Sequence, residues 1–294
     1  MKTLVLGSLN IDLVFSVDHI VTPGETISST SLVKSAGGKG ANQAAALAKA
    51  GLPVYMAGKI GRDGEFLLDL LESYGVNTTN VARYEGATGQ AIIQLDKNSQ
   101  NSIILYSGGN GAITIDEVQT ALKLFFTGDL IVLQNEISCL QEIIKQANER
   151  GLRICLNPSP YNEKIEALPL HLVNIFFVNE IEGAALASVP VQTPLPEILD
   201  RLVIRFPKAE IVLTAGRDGA YYACGTYRAR GSIIEVPVAD TTGAGDTFTG
   251  YFIAARAKGM EVPQALDIAC KASGIAVSRF GAMESIPLAH EVFN

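Results

Sequence analysis

The sequence predicts an α/β protein with a mostly parallel central sheet, helices on both faces and a small β-strand lid. Three observations predict it. Short apolar runs rich in β-branched residues alternate with helical patterns over most of the length, as parallel strands joined by crossover helices do. Two strand-like stretches interrupt that rhythm with a polar alternation suited to a two-faced insertion. With 48% hydrophobic residues among 294, the chain also has enough apolar surface for one large core, and residues 1–294 are expected to form a single domain.

In chain order, "TLVLG" (3–7) is the first strand, and the lid strands 11–17 ("IDLVFSV") and 25–35 ("ETISSTSLVKS") follow it. The Ala-rich "GANQAAALAKAG" (40–51) reads as the first helix, "VYMAGKIG" (54–61) as a strand and "GEFLLDLLESYG" (64–75) as a second helix. A hairpin turning at Lys97 and Asn98 places a further lid segment at 89–106. "DLIVLQNE", "LRICLNPSP", "NIFFVNE" and "AEIVLTAG" continue the sheet, with "SCLQEIIKQANERG" and "PEILDRLVIRF" as helices between them. Capping boxes are expected at Thr114 with Glu117 and at Ser138 with Gln141, and Pro196 suits a first helical turn.

Composition excludes several classes. Twenty-three Lys+Arg against 30 Asp+Glu leave a net charge of −7, so the positive surface that a nucleic-acid backbone demands is missing. The start, "MKTLVLGSLNID", is too short an apolar run for a signal peptide, and no stretch approaches ~20 apolar residues, so a cytoplasmic protein without a membrane partner is expected. Cys139, Cys155, Cys224 and Cys270 are scattered without a C-x-x-C pair, which points to buried thiols, and the three histidines have no ligand pattern.

Two glycine clusters precede helices. "SAGGKGANQAAA" bares one helix N-terminus beside Lys39 and Asn42, and "ADTTGAGDTFTGYF" bares another around Asp246. The first is neither a P-loop nor a dinucleotide fingerprint. Five apolar strands also end in polar groups on one edge: Asn10 and Asp12, Asn135 and Glu136, Asn157, Asn179 with Glu180 and Glu182, and Thr214 with Gly216. Each could be a cap or a turn, yet together they line a crevice suited to a polyhydroxylated ligand. A carboxylate placed among helix-mouth amides fits phosphoryl transfer, in which an attacking hydroxyl needs a base while the phosphoryl oxygens need donors.

"GSLNIDLV", "TPGET", "GGKGANQA", "NPSP", "NEIEG", "TAGRDG" and "DTTGAGDTFTG" occur in the order and spacing of the ribokinase-like (PfkB) carbohydrate kinases, and on these motifs the whole chain resembles that family. The resemblance implies that Asp246 is the catalytic base and that Gly243, Ala244 and Gly245 form its anion hole. It places the sugar against Asn10, Asp12, Gly38, Lys39, Asn42 and Glu136. Asn179 and Glu182 match the motif that orders Mg2+ and its waters, while Thr214, Gly216, Gly219 and Gly245 belong to the ATP side. Cys270 stands where relatives often carry a polar residue near the adenine. An activating K+ maps to Asp240, Thr242, Ala276, Arg279, Gly281 and Ser285, largely through backbone carbonyls.

"GGKGAN" and the N-x-D after the first strand look like the ribose-phosphorylating branch, so ATP-dependent conversion of D-ribose to its 5-phosphate is expected. A kinase for 2-deoxyribose, a ketohexose or a nucleoside, and a non-catalytic sugar or nucleotide sensor, are the alternatives. The amphipathic lid strands and the resemblance together imply a homodimer joined through the lids.

Overall fold

The computed structural model describes residues 1–98 and 100–293; Ser99, within the expected lid stretch 89–106, and Asn294 lie outside the described residues. The strands are β1 (Thr3–Leu6), β2 (Asn10–Ser16), β3 (Ser31–Gly37), β4 (Val54–Ile60), β5 (Asn77–Arg83), β6 (Gly89–Leu95), β7 (Asn101–Tyr106), β8 (Leu130–Gln134), β9 (Arg153–Asn157), β10 (Ile175–Asn179), β11 (Glu210–Thr214), β12 (Ala220–Cys224) and β13 (Tyr227–Gly231). The helices are α1 (Lys39–Lys49), α2 (Glu65–Ser73), α3 (Ile115–Leu122), α4 (Leu140–Glu149), α5 (Glu180–Leu186), α6 (Leu195–Arg205), α7 (Ala244–Ala257), α8 (Val262–Val277) and α9 (Ala289–Val292).

Among the described residues nine strands form one sheet, in the order β13-β12-β11-β10-β9-β8-β1-β4-β5, parallel from β11 to β5 and antiparallel at β12 and β13. Successive strand residues point to opposite faces and feed two cores. Val5, Val132, Phe177 and Val212 pack with α1, α7 and α8 on one side, while Leu4, Leu6, Ile131, Leu133 and Phe176 pack with α3, α4, α5 and α6 on the other. Strands covered on both faces have to be apolar throughout, which is why "LIVL" and "IFFV" stand as unbroken runs. None of the helices among the described residues is long and apolar enough to cross a membrane.

The lid is a second sheet, β3-β2-β6-β7, in which β2 pairs antiparallel with β3 and parallel with β6. The expected lid strand 25–35 starts later, at Ser31. Glu25 instead closes a turn, accepting from the Thr22 amide and hydroxyl at 3.0 Å each and facing His19 Nε2 at 2.8 Å. The pairing partner β2 stops at Ser16, so no strand edge continues opposite residues 25–30.

The Thr114–Glu117 capping box forms, and Pro196 sits in the first turn of α6. The expected cap at Ser138 does not form. Helix α4 begins behind Cys139, which is left-handed at φ 61°. Ser138 Oγ instead donates to the carbonyls of Asn110 and Ile113 at 3.3 and 2.9 Å, tying down the loop that carries Asn110.

Candidate active site

All parallel strands present their carboxyl ends on one edge, and that edge carries the site, as in other open α/β sheets. Two helix mouths meet there. Helix α1 leaves the strand end through Gly38 at φ 92°, where a Cβ would lie 2.8 Å from the Asn10 amide. The Ala-rich face of α1 packs on α7, and a Cβ at Gly250 would stand 2.4 Å from Ala46 Cβ. Small residues on both helices thus bring the first turn of α1 against the first turn of α7.

Asp246 is the product of that approach. Its side chain is buried, Oδ2 accepting from Asn42 Nδ2 at 3.0 Å and Oδ1 from Gln43 Nε2 at 2.8 Å. Burial raises its carboxyl above the usual range, while Lys39, Gln43 and Asn42 oppose the rise. A buried carboxylate that prefers a proton more than an exposed one does is suited to collecting one from an attacking hydroxyl.

Glu136 lies beyond the end of β8, where Oε2 accepts from Ser8 Oγ and from the Lys39 amide at 3.3 Å. Burial raises its carboxyl, Asp246 adds to the rise, and Lys39 and Ser8 act against it. Asp12, from β2, is pushed up to about 7 by burial first and then by Glu136, Asp246 and Glu284. Burial alone would lower the Lys39 ammonium, but Asp246, Glu136 and Glu182 outweigh it and hold the group above its ordinary range. One cation therefore shares its field with several carboxylates. Asn10 Oδ1 accepts from Asn110 Nδ2 at 2.7 Å, and Asn110 is itself fixed to the amide and carbonyl of Leu9 at 3.0 and 3.3 Å. Asn42 Oδ1 is buried and without a partner among the described residues, an acceptor left for a hydroxyl donor.

At the mouth of α7, Gly243 is left-handed at φ 74°, and the space over Gly245 is open. The Ala244 amide reaches the Thr241 carbonyl at 3.3 Å, whereas the amides of Gly245 and Asp246 donate to no group among the described residues. Bare amides at a helix N-terminus suit an anion.

The segment before α7 is tied to the segment after α8. Asp240 Oδ1 accepts from the Thr242 amide and hydroxyl at 2.9 and 2.7 Å, and Oδ2 accepts from the Gly281 amide at 3.1 Å. Burial works to raise the Asp240 carboxyl, but these hydrogen bonds hold it below the usual range. Ala276 lies in the last turn of α8, where helix carbonyls concentrate partial negative charge. Ser285 is buried, its hydroxyl donating to the Ala282 carbonyl at 2.9 Å, and the Arg279 guanidinium turns to Glu291. Of the expected cation residues, Asp240, Thr242 and Gly281 are joined directly, the Ala276 carbonyl accepts from the Arg279 amide at 3.0 Å, and the Arg279 side chain is engaged with Glu291.

The remaining strand ends divide. Asn179 Oδ1 accepts from the Glu182 amide at 2.8 Å and Glu182 Oε2 from the Asn179 amide at 3.1 Å, a complete capping box on α5. Each side chain commits one atom to the cap and keeps its other polar atom. Asn135 and Asn157 close loops through the Pro160 and Phe177 carbonyls. Thr214 donates to the Val178 carbonyl at 3.4 Å, and Gly216 and Gly219 flank a tight turn at φ 47° and 84°. Cys270 is a core residue of α8, 5% exposed, with its thiol pushed up to about 11 by burial and then Asp267. Ser8, Gln43, Asn110 and Gln134 carry no motif in the sequence; for Gln43 in α1 and Gln134 at the end of β8 the one available signal is a polar side chain in an otherwise apolar run, and Ser8 and Asn110 lie outside the strands and α-helices and offer none.

The fold and this crevice define an ATP-dependent carbohydrate kinase. The chain belongs to the pfkB family of carbohydrate kinases, whose family model matches residues 2–289. It is 33% identical to the ribokinase of Staphylococcus aureus, covering 99% of this chain and 98% of that one. The deoxyribokinase of Salmonella typhimurium is 30% identical over 98% of this chain and 96% of its own. Among solved structures, the ribokinase of Cryptococcus neoformans in complex with ADP superposes with a TM-score of 0.88 at 35% identity, covering 99% of this chain and 98% of that one. The Arabidopsis thaliana ribokinase complexed with ribose and ATP gives 0.86 at 29% identity, covering 99% and 97%.

Proposed function

We propose that the protein transfers the γ-phosphoryl group of ATP to D-ribose, giving D-ribose 5-phosphate and ADP. The observation that carries this reading is Asp246, a buried carboxylate anchored by Asn42 and Gln43 beside the unpaired amides of Gly245 and Asp246. The sugar hydroxyl gives its proton to Asp246 as its oxygen bonds to the γ-phosphorus. The bond from that phosphorus to the β-bridging oxygen breaks, and ADP carries away the electron pair. The open helix mouth at Gly243, Ala244 and Gly245 receives the charge on the transferred group.

In this reading Asn10, Asp12, Gly38, Lys39, Asn42 and Glu136 hold the sugar. Thr214, Gly216, Gly219 and Gly245 face ATP, with Cys270 packed behind that side. Asn179 and Glu182 would hold Mg2+ through its waters, an arrangement compatible with the one oxygen that Glu182 does not spend on the cap. Bound there, Mg2+ neutralises charge on the phosphate oxygens. Asp240, Thr242, Ala276, Arg279, Gly281 and Ser285 would hold K+, and the oxygen-rich loop pair that Asp240 ties together has the hard donors such a cation takes. K+ supplies fixed positive charge that stiffens the loop before α7. The polypeptide residues 1–294 act as one domain, and two copies pair through their lids.

ADP release in a coupled assay with Mg-ATP tests the acceptor across D-ribose, 2-deoxyribose, D-fructose and a nucleoside. A tenfold or larger preference in kcat/KM for D-ribose is expected. Preference for another acceptor keeps the chemistry and overturns the substrate; binding without turnover on any of them is the outcome a sensor would give.

A further inference from the structure

Gln43 touches Asp246 but takes no part in the transfer itself, and Gln134 touches neither substrate residue nor base, yet both are shut away from solvent, at 1% and 0% exposure. Interior primary amides are costly unless their bonds are made, so their arrangement calls for a cause. An ionised carboxylate only accepts, and the Gln43 group that faces Asp246 Oδ1 at 2.8 Å is therefore its amino group. Gln43 Oε1 then points the other way and takes a 2.6 Å hydrogen bond from Gln134 Nε2. The carboxylate thus fixes the direction of the whole amide chain. Its far end, Gln134 Oε1, is buried without a partner among the described residues, over Gly7, where a Cβ would stand 2.1 Å away. The fold leaves an acceptor bare in its interior and keeps a glycine opposite it, so that Gln134 can reach Gln43.

We propose that Gln43, backed by Gln134, is a positioning residue that locks the orientation of Asp246 and favours its ionised, proton-accepting form. This rests on the reading of Asp246 as the base. Asn42 holds Oδ2 and Gln43 holds Oδ1, so the carboxylate plane cannot turn and the lone pair that receives the proton keeps one direction. The charges around Asp246 act on the same equilibrium from other elements. Lys39 at the start of α1 favours the ionised form, while Asp12 on β2 and Glu136 beyond β8 disfavour it. Gln43 adds a neutral donor that also favours the ionised form.

The test compares Gln43→Met, Gln134→Met and Asp246→Asn with the unaltered enzyme, measuring kcat, sugar KM and the pH profile of kcat, with thermal melts to establish folding. Gln43→Met is expected to lower kcat about tenfold, the worth of one hydrogen bond to a charged group, with sugar KM changed less than about twofold. Its acidic limb moves to higher pH, because removing a donor disfavours the carboxylate. Gln134→Met shifts both quantities the same way by less, and carries the comparison alone if Gln43→Met does not fold. Folded glutamine variants with unchanged kcat and an unmoved acidic limb, beside an inactive Asp246→Asn, overturn the positioning role and leave the base intact. A kcat loss with no movement of the limb also overturns it. An active Asp246→Asn removes the base reading itself, an outcome separable from either.

Discussion

Asn42 and Asp246 stand 204 positions apart in the chain and are joined by a 3.0 Å hydrogen bond across the mouths of two helices. That bond exists because α1 and α7 touch closely enough for their first turns to meet. Catalytic geometry therefore depends on the packing of residues that never approach a ligand.

Gly250 tests this dependence. In a helix interior, Gly→Ala ordinarily stabilises by about 1 kcal/mol. Here a Cβ would stand 2.4 Å from Ala46 Cβ and 2.9 Å from the Leu47 amide nitrogen. Gly250→Ala is expected to lose about 1–3 kcal/mol through overpacking and to lower kcat as α1 withdraws from Asp246. A denaturant melt and a kinetic assay check both; a variant as stable and active as the parent contradicts the close-packing argument.

The pH response of Asp12 has a definite sign. Its carboxyl rises from an ordinary 3.8 to about 7 in the fold, so the native state holds that proton more tightly than the unfolded chain. Its stabilising contribution is fully present below about pH 4 and is lost as pH rises through 7. Asp12→Asn is therefore expected to melt higher than the parent at pH 8, by roughly 2 °C or more, with the difference shrinking toward pH 4. Sugar KM in the parent should rise as pH falls below 7 and the acceptor becomes protonated. A sugar KM independent of pH in the parent contradicts the role of Asp12 in binding.

The sequence disclosed this fold unevenly, for physical reasons. Strands β8, β10 and β11 are covered on both faces and declare themselves as apolar runs. The edge strand β5, "NTTNVAR", has several part-exposed or exposed positions and carries no such signal, nor do β12 and β13 with their arginines and tyrosines. In the site, Asp246, Lys39, Asn42 and Glu136 were legible because they follow glycine-rich helix mouths or strand ends. Gln43 and Gln134 were not, because the value of an amide lies in what faces it, here 91 residues away. Asn110 is anchored to Asn10 across 100 residues and is equally silent in the sequence.

Asp240 gives a test of the cation loop. It is the side chain that joins the turn at Thr242 to the amide of Gly281. If K+ acts there, turnover of the parent is higher in potassium than in sodium buffer, and Asp240→Ala is expected to abolish that difference while retaining residual turnover. A parent indifferent to the monovalent cation contradicts the K+ proposal.

The lid edges give a test of assembly. Leu32 and Val33 on β3 and Ile103, Ile104, Leu105 and Tyr106 on β7 are about half exposed. Apolar edge strands left open invite pairing. The parent is expected to sediment as a dimer and Ile104→Glu combined with Leu32→Glu as a monomer. A monomeric parent at micromolar concentration removes the lid-to-lid proposal.

The most direct measurement is the rate of ribose 5-phosphate formation from Mg-ATP and D-ribose by the parent and by Asp246→Asn, with ATP binding followed by calorimetry. Rapid formation by the parent is expected, with a rate lower by roughly 10²-fold or more in the variant and nucleotide affinity retained. Equal rates in the two proteins would contradict the role of Asp246 as the base.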